Sequence, residues 1–335
     1  MKSVLIVSIT VLLALMPRMD FGRSQDEAAA REAARGTAAH IVGPGECEDC
    51  HEAEVAALQA SEHWKGFPAA LESERGVTIA QAMGIAQPGK DWRCLQCHAT
   101  PALKKDKLIA LGGVSCESCH GGAEEWMDLH DDYGDGEKEE ESGEHAAERI
   151  SGTVKAGMRR PDRIHDVARA CLGCHVVDDV KLVDEAGHPT GEGFELLAWS
   201  QGEVRHNYMK TDGERNLAAS PERRRVLFLV GQLAALERLA PRVAAATAEG
   251  AQLNTLTARW NAAAAAVKKA HRLLGEASRL NALVSALEAC AEKKVGNDVA
   301  KWARAAAEDY GRGDGRDLGP LDVMLPKGVE GQPAR

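Results

Sequence analysis

The sequence predicts a mainly α-helical protein with little regular sheet, in two parts: a domain over about 40–212 and an α-helical bundle or hairpin over 213–312. Three observations carry that expectation. Eight of the nine cysteines fall into four copies of Cys-x-x-Cys-His, all before residue 180. Aromatic residues are few, with four Phe, three Tyr and six Trp in 335 residues, so side chains alone supply little bulk for a core. From Ser220 onward the composition turns to Ala, Leu, Arg and Glu, with apolar residues at helical spacing.

The N-terminus carries Lys2, then an apolar run from Val4 to Met16 broken only by Ser8 and Thr10, then Pro17 and a polar stretch. Such a run is too short for the roughly 20 residues a bilayer span needs, and its basic start makes residues 1–25 a secretory signal. No A-x-A precedes Gln25, so the segment is either cleaved or kept as an anchor, and membrane contact is expected only in the second case. A net charge of −10 argues against a nucleic-acid partner, which would call for a clustered basic face.

The four motifs are Cys47-Glu-Asp-Cys50-His51, Cys94-Leu-Gln-Cys97-His98, Cys116-Glu-Ser-Cys119-His120 and Cys171-Leu-Gly-Cys174-His175. Two thiols at this spacing add across the vinyl groups of one porphyrin, and the following histidine then ligates the iron. A structural zinc site needs two thiol pairs per metal and gives no reason for a histidine after every second cysteine. A disulfide framework explains the even count but not the histidines, and thioredoxin-like chemistry needs a single pair in a βαβ setting. The expectation is four covalently attached haem c groups, which export to the periplasm fits. It makes the first part a haem-cored multihaem cytochrome c domain. Buried porphyrins replace the missing aromatic bulk, so haem loss is expected to unfold about 45–210.

Eight further histidines are candidates for the second axial positions: His40, His63, His130, His145, His165, His188, His206 and His271. His63 is expected on a helix running from Glu54 to Trp64, which at about 1.5 Å per residue carries it away from the His51 iron toward another. The same argument sends His130 to another haem than that of His120. His165 lies ten residues before His175, and Pro161 suits a first helical turn just before it. His40 and His271 are read as surface or core residues.

These motifs, with Gly45-x-Cys47, Ser61-x-His63 and the stretch Gly113 to Gly121, resemble the tetrahaem cytochrome c family of the "five-fifty-four" or c-prime type over about residues 40–180. Members carry electrons from hydroxylamine oxidoreductase. By position, the resemblance implies that His63 ligates the third haem, His130 the first and His165 the fourth, and that the second haem, at His98, lacks a sixth protein ligand. The chain departs from the pattern after the fourth motif. Here His188-Pro189, Phe194-Glu195-Leu196, Trp199 and His206 look like a segment of other multihaem cytochromes in which such histidines are axial ligands. Either His188 or His206 closes the second haem, or it stays open to a small ligand.

From Asp128 to Glu148 ten acidic residues stand against one Lys, with His145 among them. This is a solvated loop, or a docking patch for basic redox partner proteins. In the second part, Ser220-Pro221-Glu222 starts a helix carrying Val226, Leu229, Val230, Leu233, Leu236 and Val243, with Pro241 expected to kink or end it. Further helices are expected over about Leu253–Leu274, around Leu280, Leu283 and Leu287 with Cys290 on their buried face, and over Asn297–Tyr310. A flexible tail follows over 313–335. The expected function is electron carriage rather than catalysis. The competing reading is an oxidoreductase acting on a small nitrogen or sulfur compound at an open haem held by His98.

Overall fold

The computed structural model describes residues 38–134, 136, 138–191, 193–246, 249–275, 278–290 and 297–328. The signal segment 1–25 lies outside the described residues. Among those described, no helix is long and apolar enough to cross a membrane.

The first part is a succession of short helices: α1 (Gly45–Glu48), α2 (Glu52–Gln59), α3 (Glu62–Glu72), α4 (Glu74–Ala82) and α5 (Trp92–His98). A two-stranded antiparallel hairpin follows, β1 (Pro101–Lys104) with β2 (Lys107–Ala110). After it come α6 (Cys116–His120), α7 (Met127–His130), α8 (Gly143–Lys155), α9 (Ile164–His175) and α10 (Leu196–Gln201). The second part comprises α11 (Pro221–Ala245), α12 (Ala251–Leu274), α13 (Asn281–Ala289) and α14 (Asn297–Gly311). The fold is mainly α, as the sequence predicts.

The helix expected to run from Glu54 to Trp64 is two helices. Ser61 adopts an extended backbone and its hydroxyl donates to Leu58 O at 2.6 Å, which ends α2. The carboxylate of Glu203, remote in sequence, then accepts from the amides of Glu62 and His63 at 2.5 and 3.2 Å. Those are orphan donors at the start of α3, where a negative charge is also favoured by the helix dipole. His63 therefore sits at a helix N-terminus fixed from outside.

Apolar burial is uneven between the two parts. The large core joins α11, α12, α13 and α14 to α9 and α10, with Leu229, Leu233, Leu236, Leu239, Val267 and Leu280 inaccessible to solvent. Helix α11 is its axis, begun by Ser220, whose hydroxyl accepts from Arg223 N at 3.3 Å, and by Pro221 in the first turn. It runs past Pro241 to Ala245 rather than ending there. In the first part, outside α9 and α10, the buried apolar residues form only small clusters, such as Leu71, Leu95 and Ala99. Cys290 is half-buried at the end of α13, against the large core. The flexible tail expected from 313 is a 3-10 helix over Arg316–Met324. Its Leu318 and Leu321 are buried in the same core, and Asp322 pairs with Arg225 of α11 at 2.7 Å. Two apolar side chains one 3-10 turn apart suffice to dock it.

Candidate metal centres

Each motif in α5, α6 and α9 ends its helix, so the two cysteines and the histidine, at i, i+3 and i+4, share one face. Buried neighbours fix these helices. Glu117, 2 % exposed, lies between the cysteines of the third motif, and its carboxylate accepts from Val42 N, Gly43 N and Ala123 N at 3.0, 2.8 and 2.8 Å. It thereby ties the approach to the first motif onto the third. Arg159 caps the far end of α6, donating to Cys119 O at 2.7 Å and to Ser118 O at 3.1 Å.

Every motif histidine faces a second histidine. Ring centres are 6.2 Å apart for His51 and His130, 6.0 Å for His98 and His188, 6.2 Å for His120 and His206, and 5.9 Å for His63 and His175. A metal–nitrogen bond of about 2 Å, plus roughly 1 Å from that nitrogen to the ring centre, sets two imidazoles on opposite sides of one ion about 6 Å apart. In all four opposing rings Nδ1 is already engaged. His130 Nδ1 meets Met127 O; His188 Nδ1 meets Pro189 O at 2.7 Å; His206 Nδ1 meets Val204 O at 2.6 Å; His63 Nδ1 lies 3.5 Å from the Glu203 carboxylate. His120 is held likewise, Nδ1 to Arg159 O at 2.9 Å. An imidazole whose Nδ1–H is donated to a carbonyl or carboxylate presents Nε2 as its free donor, the usual arrangement of a metal-ligating histidine. Burial lowers the pKa of His120 and His175 to about 4 and that of His98 below its ordinary value, so these rings are neutral and able to ligate near pH 7.

For two histidines the ring lies elsewhere than the family resemblance implies. His63, at the start of α3 where Glu203 accepts from its amide, faces His175 of the fourth motif rather than the third. There Phe194 also stacks on the His175 ring at 4.5 Å. His165 does not reach the fourth motif, since α9 is unbroken from Ile164 to His175 and ten residues at about 1.5 Å separate the two by about 15 Å. Its Nε2 instead meets Glu237 of α11 at 2.6 Å. His130 faces His51, as the resemblance implies. His188 and His206 are not alternatives for one site: the first faces His98 and the second His120.

Two glycines permit these approaches. A Cβ at Gly113 would stand 2.2 Å from Trp64 O and 2.6 Å from His63 O. Gly191, at φ +76, passes so close to the fourth motif that a Cβ would stand 2.6 Å from His175 O.

The motifs also touch one another. Cys47 and Cys116 are in contact, as are Cys97 and Cys174, each contact raising the pKa of the first thiol of the pair. Burial, and next the charge of Cys174, raise that of Cys119 to about 11. The motifs therefore lie in the order first, third, fourth, second.

Residues 46–121 match the family model of cytochrome c554 and c-prime. The chain thus resembles a c-type cytochrome over its first three motifs, and the fourth lies beyond the matched segment. No curated protein and no solved structure matches. The residues suit the covalent haem that such a cytochrome carries. Each centre offers two thiols, a histidine beside them and a second histidine opposite. Among the described residues, no three Cys or His side chains converge around a motif as a zinc site would require. Buried donors without partners, Trp126 Nε1 beside His130 and Arg205 Nε next to His206, suit the carboxylates of a porphyrin.

The acidic segment is not simply solvated. Glu141, its carboxylate 7 % exposed, pairs with Arg149 at 2.6 Å and His145 at 2.9 Å, and Arg149 also donates to His130 O at 2.8 Å. Arg149 and next His145 hold Glu141 down to about pKa 2. Asp135 and Glu137 fall outside the described residues. His40 is exposed beside Glu124 and Glu125, and His271 meets Ser278 at 3.2 Å.

Proposed function

We propose that the protein is an exported, periplasmic multihaem c-type cytochrome that carries electrons through four covalently bound haems c between redox partner proteins. The observation that carries the reading is the set of four histidine pairs with ring centres 5.9–6.2 Å apart, one at each Cys-x-x-Cys-His motif. Cys47 and Cys50, Cys94 and Cys97, Cys116 and Cys119, and Cys171 and Cys174 attach the groups. His51, His98, His120 and His175 are the proximal ligands, with His130, His188, His206 and His63 opposite them in that order. Each haem, when bound, supplies a one-electron couple. The protein's part is to hold ligands on both faces, to exclude water, and to place the motifs in contact in a single row, which favours transfer over substrate binding. The oxidoreductase reading needs an open position at His98, and the His188 ring, 6.0 Å from that of His98, supports the carrier reading instead.

The test is low-temperature EPR of the oxidised protein together with the mass of the mature chain. Four covalent haems and no high-spin ferric signal are expected. A high-spin signal from one haem overturns full bis-histidine ligation, and a mass lacking four haems overturns the assignment itself.

A further inference from the structure

The helical module reaches back to the second and fourth motifs with arginines. Arg259 on α12 donates through Nη1 to His175 O at 2.5 Å and to Gly191 O at 3.0 Å. Arg238 on α11 lies close enough to Cys97 and Cys174 for its charge to lower the pKa of both thiols, and its Nε is buried with no partner. Its Nη2 meets Asp178 at 3.2 Å, and Arg242 pairs with the same carboxylate and donates to Arg238 O at 2.7 Å. Three guanidinium groups thus stand at this end of the row, two of them sharing the Asp178 carboxylate, while Glu203 faces the fourth motif from beside His63 and Asp91 lies by the second motif. Guanidinium keeps its charge even when desolvated, and its fork suits a porphyrin carboxylate. The opposite end is acidic: the first motif lies among Glu46, Glu48, Asp49, Glu52 and Glu54, and its opposing His130 leads into the acidic segment.

A cation beside an iron stabilises the reduced state because reduction adds negative charge, and an anion opposes it, more strongly where water is excluded. We propose that Arg238 and Arg259 are potential-setting residues, by which the helical module holds the fourth-motif and second-motif haems above the first-motif haem in reduction potential. Electrons then enter at the acidic first motif and collect at the second–fourth pair. This inference rests on the four-haem reading.

Optical redox titration of the holoprotein tests it. The waves are assigned with His188→Met and His63→Met, since methionine in place of one histidine raises the potential of that haem alone. Arg238→Gln and Arg259→Gln are expected to lower the second-motif and fourth-motif waves and leave the first in place. Arg238→Lys is expected to retain the potential, and Asp178→Asn to shift the same two waves upward. Unmoved waves in the glutamine variants overturn the proposal, as does an equal shift of all four. Should Arg238→Gln load fewer haems, Asp178→Asn decides, and no upward shift there overturns it. The mass of the unsubstituted protein tests the four-haem reading separately.

Discussion

Glu203 serves two purposes at one carboxylate, closing the first turn of α3 and orienting the ring of His63. The His63 bond lowers its pKa, so it is charged at neutral pH and matches the imidazole Nδ1–H. Glu203→Ala is expected to weaken the hold of His63 by roughly 10–100-fold, the range for partners behind a metal ligand. On the four-haem reading, carbon monoxide binding to the reduced protein would rise at the fourth-motif haem. His206→Ala should open the third-motif haem to carbon monoxide completely, leaving the other three unreactive. The Cys-x-x-Cys-His motifs were legible in the sequence because covalent chemistry fixes their spacing. Their opposing histidines were legible only as candidates, since spacing says nothing about which iron a remote ring meets. His165 had the spacing of a ligand, and Glu237 of α11, remote in sequence, claims it instead. Glu117, Arg159 and Glu203 carried no sequence signal beyond being charged residues near motifs.

At the scale of elements, close backbone approaches set what the site tolerates. Gly113→Val would drive a side chain into the backbone of His63 and Trp64, a loss of about 1–3 kcal/mol if the neighbours give way. The denaturation midpoint followed at the haem Soret band should fall accordingly. Arg149 ties the acidic segment between α7 and α8 to His130 through Glu141 and the His130 carbonyl. Glu141 has a folded pKa of about 2 against an ordinary 4.5, so its contribution is present above about pH 4.5 and is lost as the pH falls toward 2. Amide exchange over Met127–Lys155 is expected to accelerate in that window while α11 stays protected. The helices of the second part were legible in register because amphipathic spacing is local. The break at Ser61 and the docked 3-10 helix were not, since each is decided by a tertiary contact, with Glu203 in one case and the α11 core in the other.

For the whole molecule, the division of burial has a thermodynamic counterpart. The second part owns a side-chain core into which α9 and α10 pack, whereas the rest of the first part has only small apolar clusters, both against Cys94 of the second motif. Chain produced without haem attachment should therefore lose exchange protection over about 45–155, outside the α9 and α10 segments packed into the large core, and keep it in α11, α12 and α14. Protection of both parts alike would refute the idea that porphyrins form the core of the first. In the sequence the change of composition shows as four Cys-x-x-Cys-His motifs before an alanine-rich, leucine-rich stretch, with aromatics scarce in both. The grip of the second part on the first, through Arg238, Arg259 and Glu237, does not show there.

The pairing of histidines also governs assembly. His63 precedes the motif it faces, whereas His130, His188 and His206 all follow theirs, the last two beyond the fourth motif. On the proposed four-haem reading, in which the chain is exported from its N-terminus, the second-motif and third-motif haems would wait for their outer ligands until residues after the whole motif region have emerged. During that interval His98 and His120 would each hold its haem with no histidine opposite, leaving it open to stray ligands. The smallest unit able to close all four therefore extends past residue 206, and a chain cut at 180 should mature with two haems still high-spin.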